Sequence, residues 1–305
     1  MVRLTGGEPT CQYSEAAPHA PRRSPAVIDC HVHLWDPAQG FPWIRPGSEH
    51  HHAFGEAELE QAGEGMELSG AVLVEASRGD VGETRALREL RLRRPDLIAG
   101  YVANLHVHGE DGPDVFRALL DEWGGSRPHG MRIGGTSWTA TPAPARALVP
   151  VLAETGLALD LNLHRGALTA AAHIGQRHPG LAVVVDHLGN PPDPRTPAAG
   201  EWYRDVESAA ARPNVVVKVS GLLTQQYGTP QRRIAHMVRH VVDTLGPDRC
   251  LVGSDWPICL PRGSRADSLA ASRAGLEHLT AGQRERVLHS TAVRVYGLGR
   301  DRPRG

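Results

Sequence analysis

Two histidines, His31 and His33, follow the apolar run Ala26-Val27-Ile28 and the acid Asp29. Side chains alternate faces along a β-strand, so residues two apart point the same way. Two imidazoles side by side at a strand end can share one metal ion, each through a ring nitrogen at about 2.0–2.1 Å. Alone, His-x-His is equally the mark of an ordinary edge strand. What gives it weight is the series behind later apolar runs: Glu75, His106, His164, His187 and Asp255, with Arg132 and Ser220 among them. Imidazoles and carboxylates collected in this way are the donor set of a divalent transition metal.

Something must bring such distant residues together, and the rhythm of the chain supplies it. Short β-branched runs at 27–31, 70–76, 98–105, 130–133, 158–163, 181–186, 215–219 and 251–254 read as strands. Helical apolar spacing fills 84–92, 114–123, 143–154, 168–177, 201–211 and 230–245 between them. Pro95, Pro179, Pro213 and Pro247 stand just before strands, where they stop the preceding helix. Eight strands mostly separated by helices predict an α/β fold, a single (β/α)8 barrel, over residues 26–300. Several strands are almost wholly apolar, as expected when helices cover one face and the barrel interior the other. The ligand-type residues then fall at the C-terminal strand ends, the face on which barrel enzymes build their sites. Residues 1–25, rich in Pro, Ser, Ala and Arg without period, read as a flexible tail. The connection 35–61 is long and contains His50, His51 and His52, which could add a ligand or remain a solvated loop.

Composition narrows the partners. The 305 residues are 40% hydrophobic and 22% charged, with a formal net charge of −1, as in an ordinary globular enzyme. There is no basic block for nucleic acid and no apolar run near the roughly 18 residues of a membrane span. Four scattered cysteines suggest no disulfide framework, so a cytoplasmic location and a small-molecule substrate are expected. Oligomeric state is left open, a dimer included. Histidine is abundant, at 17 residues, whereas lysine occurs once, at Lys218.

The segments Asp29–Trp35 with Pro42-Trp43, 74–84, Arg132, 185–191, 217–221, 253–257 and 291–296 resemble the amidohydrolase superfamily, in particular its L-fuconolactonase-like branch of metal-dependent lactonases. The resemblance runs from about 26 to 298. It implies a metal site at His31, His33 and His187, with Asp255 binding metal or water and moving protons. Three departures stand out. Glu75 replaces a Gln common in the lactonases, His164 replaces an aromatic residue, and Ile133 follows Arg132 where the lactonases usually have His. Dimetal relatives often bridge their ions with a carboxylated lysine of the fourth strand, which this chain lacks, so Glu75 is the expected bridge. One ion would then sit on His31, His33 and Asp255, and the other on His164 and His187. Glu75 could instead support a ligating histidine from behind, and His106 and His108 are expected in similar supporting roles.

Two chemistries follow from that ligand set. With iron, the pair resembles the sites of non-haem di-iron monooxygenases, which use O2 to hydroxylate an unactivated carbon. With iron, zinc or manganese, an acidified water could hydrolyse a lactone or amide, with Asp255 as base and Arg132 steadying the oxyanion. The added donors Glu75 and His164 favour the monooxygenase, acting on a largely apolar natural-product intermediate with one carboxylate. Arg132, Arg165, Trp35 and Trp256 are the expected substrate contacts.

Overall fold

The computed structural model describes residues 26–299, apart from 194 and 227. The predicted tail 1–25 lies outside the described residues. The eight strands are β1 (Val27–Val32), β2 (Leu68–Val74), β3 (Ile98–Asn104), β4 (Gly130–Gly135), β5 (Ala158–Leu163), β6 (Val183–Val185), β7 (Val215–Val219) and β8 (Cys250–Val252). Each pairs in parallel with the next, in chain order from β1 to β8. The seam between β8 and β1 closes just beyond β8. There Asp255 N donates to His31 O (2.8 Å), and His33 N donates to Trp256 O (2.8 Å). Ser254 adds two bonds to the buried carboxylate of Asp29, 2.8 Å from N and 2.6 Å from Oγ, and Arg265 Nε a third at 2.9 Å.

Period-2 alternation sorts the strand residues into two cores. Val215, Val217 and Val219 pack outward against helices, whereas Val216 joins Ile28, Cys30, Val72, Val102 and Val184 inside the barrel. Fully burying each such Val contributes about 1.5–3 kcal/mol. The helix Thr291–Tyr296 closes the inner core with Ala292, Val295 and Tyr296. Outside, Gln231–Leu245 buries Ile234, Met237, Val238, Val241, Val242 and Leu245, a 3-and-4 spacing that gives one apolar stripe.

Two helical features escape periodicity. The expected helix 143–154 is two helices, Ala143–Ala147 and Val149–Thr155. Pro150 has no N–H to donate to residue 146, so it opens a new helix instead of continuing the old one. The helix Arg265–Ala274 has no clear apolar pattern because its buried face is Arg265, Ser268, Leu269, Ala271 and Ser272. Cys30, Cys250 and Cys259 are buried free thiols. No described helix is long and apolar enough to cross a membrane.

Candidate metal centre

A register irregularity in β1 between Asp29 and Val32 turns both Cys30 and His31 to the barrel interior. The close approach of β8 demands glycine at 253, since a Cβ there would lie 2.6 Å from His31 Cβ and 2.9 Å from His31 N. His33 Nδ1 stands 2.9 Å from Val74 O. A carbonyl only accepts, so this nitrogen carries a proton, and the tautomer with Nδ1–H is the one that leaves Nε2 able to ligate a metal. That Nε2 lies 3.2 Å from His31 Nε2 and 3.6 Å from Asp255 Oδ1, with His31 Nε2 3.8 Å from the same oxygen. His187 enters from the turn after β6, its ring 4.5 Å from that of His31. Ligand atoms of His31, His187 and Asp255 all lie within 4.8 Å of one another. His187 and Asp255 both hold left-handed backbone, φ 54° and 62°, a conformation that costs a non-glycine residue about 1–3 kcal/mol and concentrates at functional sites.

The protonation states suit a cation. Burial pushes the His31 and His187 imidazoles below their ordinary range, toward the form that can donate a lone pair. Burial alone would raise the Asp255 carboxyl, but His187, His33 and His31 together hold it well below the carboxylate range. Ser220 Oγ meets His187 Nδ1 at 3.0 Å, and Thr224 Oγ1 donates to Asp255 Oδ2 at 2.7 Å. These contacts leave His187 Nε2 and Asp255 Oδ1 for the cup.

Beneath the cup runs a buried chain of alternating charge. Tyr296 O–H donates to Asp160 (2.9 Å), and Lys218 Nζ lies 2.5 Å from Asp160 Oδ2 and 3.0 Å from Asp186 Oδ1. Arg132 Nε then donates to Asp186 Oδ2 (3.2 Å) and its Nη1 to Glu75 Oε1 (2.9 Å). Burial drags the Lys218 amine down, but Asp160 and Asp186 outweigh it and keep the ammonium charged. Asp160 is itself raised by burial to about 6, with Lys218 opposing the rise. Asp186 Oδ1, already paired with Lys218, also lies 3.5 Å from His31 Nδ1, a nitrogen 3.3 Å from Lys218 Nζ. It is the acceptor available to a His31 Nδ1–H, the tautomer that bares Nε2.

A mouth of about 290 Å³ opens above, lined by His33, Trp43, Ala76, Ser77, Arg132, Asn162, His187, Gln225, Asp255 and Ile258. The structure thus gathers His31, His33, His187, Asp255 and Arg132. Other expected residues stand elsewhere. Glu75 directs its oxygens to Arg132 Nη1, Asn104 Nδ2 (3.2 Å) and Ser77 N (2.8 Å). His164 is exposed on the turn after β5, beside exposed Arg165. Asn162 faces the mouth in its stead, two residues beyond inward-facing Asp160, so alternation along β5 was the signal for it. His50 packs edge-on between Trp35 and Trp43, at 6.0 and 5.7 Å, while His51 and His52 are exposed. Trp35 and Trp256 are buried against Phe54 and do not line the mouth, whereas Trp43, half-exposed, does. His106 Nε2 lies 2.9 Å from Gly134 O, and His108 Nδ1 3.3 Å from Asp111.

A (β/α)8 barrel with imidazoles and a last-strand carboxylate converging at its C-terminal face is the frame of a metal-dependent amidohydrolase-type enzyme. The chain belongs to the amidohydrolase family, whose sequence profile matches residues 28–298. It is 29% identical over 291 residues to an L-fucono-1,5-lactonase from Burkholderia ambifaria, covering 91% of this chain and 97% of that protein. An L-fucono-1,5-lactonase from Burkholderia multivorans is 28% identical over 296 residues, with 89% and 96% covered. An amidohydrolase from Burkholderia multivorans, solved with bound zinc, superposes with a TM-score of 0.78 at 27% identity, covering 89% of this chain and 99% of that one. These relatives are named as lactonases and an amidohydrolase. They overturn the expectation of a di-iron monooxygenase and point to hydrolase activity instead. Glu75 and His164, the added donors that favoured an oxidant, are not turned to the cup.

Proposed function

We propose that the protein is a metal-dependent lactonase with one divalent cation, zinc by preference, held by His31, His33, His187 and Asp255. The observation that carries this reading is that ligand atoms of His31, His187 and Asp255 lie within 4.8 Å of one another, with His33 Nε2 beside them, 3.2 Å from His31 Nε2 and 3.6 Å from Asp255 Oδ1. Charge supports a single ion. Asp160, Lys218, Asp186, Arg132, Glu75 and Asp255 together leave two net negative charges in a buried space, which one divalent ion neutralises. A second ion would leave the same space with an excess of two positive charges.

A cation held there supplies polarisation of the lactone carbonyl and an acidified water. Asp255 accepts the proton that the attacking water gives up as its oxygen bonds to the carbonyl carbon. Arg132, which lines the mouth and is anchored through Nε and Nη1, is the cation that would steady the carbonyl oxygen. When the ring C–O bond breaks, Asp255 returns the proton to the leaving alkoxide and a hydroxy acid is released. Trp43 and Ile258 give the lactone ring an apolar wall, and the amides of Asn162 and Gln225 suit ring hydroxyls. A sugar lactone, the substrate class in the names of the two relatives, fits that lining. We place the enzyme in the cytoplasm, where its buried thiols stay reduced.

Metal analysis of protein purified without added metal, together with hydrolysis of L-fucono-1,5-lactone followed by acid release, tests the reading. The expected result is about one divalent ion per chain, and hydrolysis that is lost on chelation and indifferent to O2. Two ions per chain, or hydrolysis that survives complete metal removal, would refute it.

A further inference from the structure

Glu83 takes no part in the cup or in the chain of charges beneath it, yet it is buried, with 4% of its surface exposed. It sits in the first turn of the helix Val81–Arg93, which Asp80 caps by accepting from Gly82 N (2.7 Å) and Glu83 N (3.3 Å). Its side chain reaches back over the turn after β2. One oxygen accepts from Ala76 N and the other from Arg78 N (3.0 Å). Between those two amides Ser77 is held at φ 59°, a left-handed conformation unusual for serine.

The clamped turn is one wall of the mouth. Ala76 and Ser77 line it, Ala76 O accepts from Trp43 Nε1 at 2.6 Å, and Ser77 N donates to Glu75 Oε2 at 2.8 Å. Trp43 comes from the long loop after β1, and this bond to Ala76 O fastens its indole over the opening. We propose that Glu83 is a positioning residue for substrate binding: by holding both amides of the 76–78 turn, it fixes the carbonyl that anchors Trp43. The inference rests on the mouth being where the lactone binds, as set out above.

A carboxylate accepts at both oxygens, whereas glutamine has one acceptor and one donor. In Glu83→Gln, an NH2 group must therefore face either Ala76 N–H or Arg78 N–H, and that contact becomes repulsive. Above pH 7, where Glu83 is ionised, amide exchange of the 76–78 segment in the metal-loaded protein should speed up about tenfold or more, the loss expected for a hydrogen bond to a charged group. Bound zinc should not change. With L-fucono-1,5-lactone as the probe, KM should rise about three- to tenfold while kcat stays within about twofold, as for lost ground-state positioning.

Trp43→Phe keeps the ring, removes the indole donor, and sits at a half-exposed position where folding is safe. It should raise KM similarly, and the double variant should be no worse than either single one, because both act through one contact. Unchanged exchange in Glu83→Gln, or additive KM effects in the double variant, would overturn the proposal. If the wild type fails to hydrolyse the lactone, the functional reading falls, and the exchange measurement still decides whether Glu83 fixes the turn.

Discussion

Lys218 offers the sharpest test of the buried charges. It is fully buried, with Nζ 2.5 Å from Asp160 Oδ2 and 3.0 Å from Asp186 Oδ1. Lys218→Met keeps the volume and removes the charge, leaving two carboxylates in the interior with Tyr296, Arg132 and the His31 ring to meet them. Removing one partner of a buried ion pair costs about 3–5 kcal/mol. Unfolding entropy of about 2.1 cal/mol/K per residue gives roughly 0.6 kcal/mol per degree for a chain of this length, so Tm should fall by about 5–8 °C. Lys218→Met combined with Asp160→Asn removes one charge of each sign and leaves Tyr296 an amide oxygen to bond. That double variant should recover to within about 3 °C of the wild type, a gain of about 1–3 kcal/mol over the single variant. Calorimetry on the metal-free proteins reads both values. The reasoning fails if Lys218→Met melts within about 2 °C of the wild type, or if the double variant is less stable than the single one.

Three further outcomes are expected. Glu75→Gln should retain its metal in full by elemental analysis, since both Glu75 oxygens are held by Arg132, Asn104 and Ser77, while kcat/KM falls about tenfold as Arg132 loses a charged partner; a drop in bound metal would make Glu75 a ligand. Gly253→Ala forces a Cβ to within 2.6 Å of His31, and a chelator competition should show zinc affinity lowered about 10–100-fold, with a stability cost of about 1–3 kcal/mol. The third concerns pH. Burial, then the charge of Glu75, raises Glu83 to about 7, against the ordinary 4.5 that the unfolded chain would show. Between those values the folded state keeps a proton that the unfolded state has lost, so this group's contribution falls as pH rises from about 4.5 to about 7 and is level above. The stability of the wild type relative to Glu83→Gln should therefore drop by about 2–3 kcal/mol between pH 5 and 7.5, and parallel melting curves across that range would contradict it.

The barrel was legible in the sequence because parallel strands covered on both faces are nearly continuous Val, Ile and Leu runs, which proline and glycine punctuate. His31, His33, His187 and Asp255 were legible because ligand-type residues at strand ends are unusual. Reading stopped where direction mattered. His164 has the right type and parity, but the chain has already left β5, and Asn162 is the last side chain that strand aims into the mouth. Glu75 has the right place, but which neighbour takes its oxygens depends on Arg132, 57 residues away in the chain. The meeting of Lys218 with Asp160 and Asp186 was equally hidden: alternation puts each inside the barrel, and nothing local says that their charges touch. Counting donors without directions is what favoured two ions and an oxidant over one ion and a hydrolytic water.

The alternating charges beneath the cup come from β2, β4, β5, the turn after β6, β7 and the closing helix, and each one neutralises its neighbours. Losing either cation, Lys218 or Arg132, strands buried carboxylates, so this floor drifts most readily by paired exchange, and evolution crosses it slowly. The walls of the mouth carry no such charge pairing: Trp43, Gln225 and Ile258 are uncharged and lie outside the strands, and each can be replaced without stranding a buried charge. A lineage with this architecture would acquire new substrates by editing its rim while inheriting the machinery below almost untouched.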